Sequence, residues 1–137
     1  MKTPMNHPRQ RWLAMAVGLF FVMCHAPAAT AGTADTHGVY RLISVDGKPV
    51  PARVSHDGTT LEVRSGTFTI KADGTCGSRI IMVPPSGMEV IREVSATYVQ
   101  DGPKLTMRWK GAGKTIGTIT GDTFTMNNHG MVFVYRK

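Results

Sequence analysis

The sequence predicts an all-β fold, an antiparallel up-and-down meander of about eight to nine short strands closed into a small barrel. Three observations lead there. No stretch after residue 31 keeps apolar residues at i, i+3, i+4 and i+7 for three turns, so no helix is expected. Apolar and polar residues instead alternate in short runs, the period of a half-buried strand. The runs are separated by brief Gly-, Asp- and Pro-bearing turns, which leave successive strands antiparallel neighbours. An open meander of this kind exposes two edges, and closure removes both.

The first strand is "VYRLISV", Val39 to Val45, with Tyr40 and Leu42 on one face; "DGKPVP" turns it. "TLEVR" and "TFTIKA" follow as two strands, and Phe68 and Ile70 share a face of the second. "DGT", Asp73 to Thr75, is a hairpin signal because Gly74 accepts positive φ. "CGSRIIMV" brings Ile80 and Met82 and stops at Pro84 and Pro85, which have no N–H for a ladder. "MEVIREVSATYVQ", Met88 to Gln100, is the longest strand, with Met88, Val90, Val94, Ala96 and Tyr98 facing in. "LTMRWK" places Leu105, Met107 and Trp109 on one face. "KTIGTIT", "TFTM" with Phe124 and Met126, and "MVFVYRK" complete the set, the last two joined by a four-residue turn from Asn127 to Gly130. The loops "DGKPVPARVSHDG" and "MVPPSGM" are the least regular segments.

The first 31 residues read as a cleavable secretory signal rather than as part of the fold. Lys2, Arg9 and Arg11 form a basic start, "WLAMAVGLFFVMC" an apolar run, and Ala29 and Ala31 the small residues before a cut. The run is short for a bilayer span, so no stable membrane insertion is expected after cleavage. Residues 32–137 then form a single domain, exported to the periplasm or beyond the cell. With all 9 acidic residues and all but three of the 16 basic ones retained, its net charge is +4. The longest basic cluster, "RWKGAGK", is too thin for the dense stripe that nucleic-acid binding needs. The signal also carries Cys24, which leaves Cys76 alone, expected buried and without an internal disulfide.

"GVYRLISVDGKPVPARV", "SGTFTIKADGTC", "GTITGDTFTM" and the terminal "VFVYRK" resemble a lipocalin-like domain found in small secreted bacterial proteins, over nearly all of residues 32–137. The resemblance implies a small barrel related in architecture to the lipocalins, which hold apolar ligands inside. Lipocalins open with Gly-x-Trp, closed over by a basic residue near the last strand. This chain has Gly38-Val39-Tyr40, and Arg136 is the residue expected over the Tyr40 face.

The function that follows is non-enzymatic binding of a small apolar or amphipathic ligand, with no cofactor. Tyr40, Phe68, Ile70, Met82, Met107, Trp109, Phe124 and Met126 are the candidate lining, set against the plain alternative of a filled core. Arg92 shares the inward parity of its strand. Pointing in, it would hold the carboxylate or phosphate head of an amphipathic ligand. A bulge that flips parity, or an end position reaching solvent, is the commoner arrangement. Met126, His129 and Met131 have the soft-ligand chemistry of a Cu(I) site, but a cross-strand Met pair beside an Asn-rich turn explains the same letters. No motif for a serine, zinc or phosphate-loop enzyme is present, and Glu89 and Glu93 would lie about 13 Å apart along a strand, too far to act as a carboxylate pair. The alternative function is a cell-envelope protein-interaction module, such as an inhibitor of a secreted enzyme, with a filled barrel and an unknown protein partner.

Overall fold

The computed structural model describes residues 35–137. The signal reading therefore lies outside the described residues. The strands are β1 (Gly38–Val45), β2 (Lys48–Pro49), β3 (Ala52–His56), β4 (Thr59–Ile70), β5 (Thr75–Val83), β6 (Val90–Asp101), β7 (Lys104–Trp109), β8 (Gly113–Thr120), β9 (Thr123–Asn128) and β10 (Met131–Arg136). From β4 to β10 each pairs antiparallel with the next. β1 closes the ring, pairing with β10 on one side and β4 on the other. Eight strands thus form a closed barrel, and β2 and β3 are additions to it.

Those additions correct the expectation for "DGKPVPARVSHDG". Instead of an irregular loop it holds two strands, β2 against the end of β1 and β3 against the start of β4. "TLEVR" and "TFTIKA" are likewise one strand, β4, continuous through a bulge between Val63 and Ser65. The bulge resets parity, so Val63 and Phe68 are both buried although their numbers differ in parity.

Three hairpins turn on two residues that both have positive φ: Asp46-Gly47, Asp57-Gly58 and His129-Gly130. This backbone twist matches that of the flanking strands, and glycine at the second position carries it without steric cost. The last of these is a correction. The β9–β10 turn has two residues, not four, so Met131 pairs with Asn128, and Met126 lies opposite Phe133 rather than Met131.

One half of the barrel interior is filled. Phe68 and Phe124 pack with ring centroids 4.5 Å apart, Tyr135 lies 5.7 Å from Phe68 and 5.8 Å from Phe124, and Tyr40 meets Phe124 edge-on at 6.1 Å. Each such pair contributes about 0.5–1.5 kcal/mol beyond the area it buries. Gly117 makes room for this cluster, because a Cβ there would lie 2.3 Å from Phe124 Cε2. Below it, Lys137 rather than Arg136 covers Tyr40, its Nζ 5.9 Å from the ring centroid and bonded to the carbonyls of Asp35 and His37. Arg136 reaches outward instead, toward Asp122.

Candidate ligand-binding pocket

The other half of the barrel is wider, for a reason that can be traced strand by strand. At the filled end, Gly38–Arg41 of β1 pair directly with Thr67–Ile70 of β4. At the opposite end Ser44 and Val45 pair with β2, and the first half of β4 pairs with β3. The wedge of β2 and β3 therefore enters between β1 and β4 and spreads the wall. A second gap lies across the ring. β7 accompanies β6 only from Ala96 onward, and the last link on that side is Lys110 N–H to the Ser95 carbonyl. Val90 to Val94 pair with β5 alone.

At this end sits a cavity of about 300 Å³. Leu61 and Val63 of β4, Ile80 and Met82 of β5, Trp109 of β7, Met126 of β9, and Met131 and Phe133 of β10 make its apolar wall. Trp109 is only 8 % exposed and packs edge-on against Phe68, with centroids 6.4 Å apart, so it is where the filled half meets the open one. Its ring is held by a short polar chain. Trp109 Nε1 donates to Thr115 Oγ1 at 2.8 Å, and Thr115 Oγ1 donates to Asn128 Oδ1 at 3.3 Å. Asn128 faces the cavity.

Of the nine residues expected to line a site, four do so: Met82, Arg92, Trp109 and Met126. Tyr40, Phe68, Ile70, Met107 and Phe124 are wholly buried and belong to the packed core. Of the residues of this strand expected inside, Val94 does line the cavity although it is 43 % exposed, whereas Val90, 44 % exposed, and Met88, 74 % exposed and ahead of β6, do not. No bulge flips β6; its pairing with β5 runs unbroken from Thr75↔Thr97 to Met82↔Val90, with Arg92 opposite Ile80. Arg92 thus keeps the inward parity and reaches solvent because the wall beside it has ended. Pairing with β7 would have been needed to bury that stretch.

The rim is polar and basic. Arg92, Lys110, His56 and His129 line the cavity, and no carboxylate does. His56 Nε2 lies 3.2 Å from Asp57 Oδ2, on a carboxylate that points to solvent. Met126, His129 and Met131 share the same pocket, but they are not brought together as cross-strand partners. No group of three or more His, Cys, Asp or Glu is arranged to hold a metal among the described residues. His56 and Lys110 were missed by the sequence reading. Both stand at hairpins, where alternation carries no signal.

Two other features are less apt for binding. A concavity of about 760 Å³ on the barrel exterior involves Thr67, Lys71, Arg79, Glu93 and Arg108. It is larger but open and edged by solvated side chains, so size does not make it the better site. Cys76 is buried as expected, and burial pushes its thiol up to about 11, which keeps it protonated and unreactive at neutral pH. Searches against protein-family models, curated proteins and solved structures find no match to this chain.

Proposed function

We propose that the protein is an exported, non-enzymatic binder of a small apolar or amphipathic ligand, as its resemblance to lipocalin-like domains implies. The observation that carries this reading is the cavity of about 300 Å³ at the wide end, apolar within and polar at its mouth. That volume stands at the lower limit for small-molecule sites, which combine apolar walls with a few placed polar groups. Three methionines, Met82, Met126 and Met131, give the wall side chains that adapt to different ligand shapes. A buried, protonated Cys76 also supports a role without nucleophilic chemistry.

Trp109 supplies the test. Titrating the processed chain, residues 32–137, whose single tryptophan is Trp109, with an apolar fluorescent dye or a fatty acid should change its emission saturably, and Trp109→Phe should abolish that change. A flat response across neutral, anionic and cationic lipids would count against the reading. It would favour a protein-interaction module of the cell envelope, for which one observation speaks. The edge of β6 from Val90 to Val94 is unpaired on its outer side, and Val90, Ile91 and Val94 are exposed there. Such an edge accepts a partner strand.

A further inference from the structure

The chemistry of the rim narrows the ligand class, on the footing that the cavity is a binding site as proposed above. Acidic residues are not scarce near it, but the fold turns them away. Glu93, next to Arg92, lies on the outer face of β6 and accepts from Arg79 Nε at 2.9 Å. Glu89, just before β6, accepts from Arg64 Nη1 at 3.0 Å, and Glu62 accepts from the same guanidinium at 3.2 Å. Asp57 stands beside His56 with its carboxylate in solvent. Arg92 and Lys110, by contrast, form no ion pair with any acid of the described residues. They stand on the two borders of the gap in the wall, Arg92 on the unpaired half of β6 and Lys110 in the turn after β7.

We infer that the pocket takes an anionic amphiphile with a single apolar tail, the tail seated on Trp109 and Met126 and the anionic head held between Arg92 and Lys110. A guanidinium presents a fork of donors that matches a carboxylate with two parallel bonds, and an ammonium adds a second charge. His56 and His129 line the same cavity and add two imidazole rings to its rim. The tail length follows from the volume. A water's share of liquid is about 30 Å³ and a methylene is of similar bulk, so the cavity admits a chain on the order of ten atoms.

The experiment is calorimetric titration of the full chain at pH 8 and low salt with octanoate, 1-octanol and octylammonium, which share a tail and differ in the charge of the head. Octanoate should bind at least tenfold more tightly than octanol, and octylammonium more weakly than either. The octanoate advantage should shrink as salt is added, because the head lies at a wetted rim. Lengthening the acid from six to eight carbons should raise affinity about fourfold per methylene, until the cavity is full. The double variant Arg92→Gln, Lys110→Gln should bring octanoate down to the affinity of octanol, whereas Arg41→Gln on the outer face should leave the preference intact. Equal binding of acid and alcohol overturns the inference while the binder reading stands. An octanoate advantage that survives in the double variant overturns the assignment of the head site. Failure of all three amphiphiles to bind overturns both.

Discussion

Gly117 on β8 is buried, and its φ lies outside the left-handed region, so space rather than backbone freedom demands glycine there. In Gly117→Ala the new Cβ would fall 2.3 Å from Phe124 Cε2, 2.7 Å from its Cζ and 3.2 Å from the Thr125 carbonyl oxygen. The ring cannot simply swing aside. Phe68 is 4.5 Å from its centroid, Tyr135 5.8 Å and Tyr40 6.1 Å, and all four side chains are wholly buried. Forcing Phe124 about 30° off its rotamer costs about 0.5–1.5 kcal/mol. Loss of its offset contact with Phe68 costs about as much again. Against this, alanine restricts the unfolded chain and returns about 0.4–1 kcal/mol. The strain wins, and a net destabilisation of about 1–2 kcal/mol is expected. For a domain of this size that lowers Tm by roughly 5–15 °C. Urea unfolding followed by circular dichroism measures it, and a double-mutant cycle with Phe124→Leu assigns the cause. Because leucine vacates the space the Cβ needs, the two changes should couple by about 1 kcal/mol or more. A neutral or stabilising Gly117→Ala, or strict additivity with Phe124→Leu, would refute the steric reasoning.

Two further predictions concern Tyr135. Its hydroxyl is fully buried and meets no protein partner at hydrogen-bond geometry; Ser78 is close enough to favour the tyrosinate slightly but does not bond to it. Tyr135→Phe should therefore be neutral or stabilising, by up to about 1 kcal/mol in urea unfolding, and a loss of more than about 1 kcal/mol would reveal a partner for the hydroxyl. Burial also pushes Tyr135 up to about 12 from 10.0, as it pushes Cys76 up to about 11 from 9.0. Both groups stay neutral longer in the fold than in the unfolded chain, so the unfolded state binds fewer protons across these intervals. Their contribution is complete below pH 9 and is lost as pH rises to about 12, on the order of 2–3 kcal/mol for each group. Denaturant midpoints from pH 8 to 12 should fall along that course; Cys76→Ala should flatten the lower part of the fall and Tyr135→Phe the upper part. A flat profile in the parent protein would contradict it.

The strands and their faces were legible in the sequence wherever one run of alternation had a wall on both sides. Tyr40, Leu42, Phe68, Ile70, Leu105, Met107, Trp109, Phe124 and Met126 are all buried, as their parity predicts. Parity reports which residues share a face, not whether a neighbouring strand reaches far enough to cover them. That is why Val90 and Val94 came out exposed: β7 ends at Trp109, opposite Ala96, and the covering fails beyond it. The β2–β3 wedge was obscured because Pro49 and Pro51 read as loop. The β9–β10 turn was misjudged because Asn127 and Asn128 look like turn residues, whereas the positive φ falls on His129. The Tyr40 cover was within reach of the sequence. The inward series Met131, Phe133, Tyr135 continues to Lys137, and Arg136 falls on the other face.

The cavity and the barrel have separable causes. An eight-strand barrel is just wide enough for its own side chains, and the aromatic end shows that filling was available to this chain. What keeps the other end open is the pair of local departures from regular pairing: the wedge that parts β1 from β4, and the halt of β7 short of the start of β6. Neither is needed to close the ring, since the β1–β4 and β1–β10 ladders do that at the filled end and along its flank. The basic rim then stands on the parts that these departures leave over, Arg92 on the unaccompanied half of β6, Lys110 at the end of β7 and His56 on the wedge. A barrel selected for stability alone would have little reason to leave Val90 and Val94 exposed beside an unpaired strand edge. That cost falls where the pocket opens, as the proposed binding role would require.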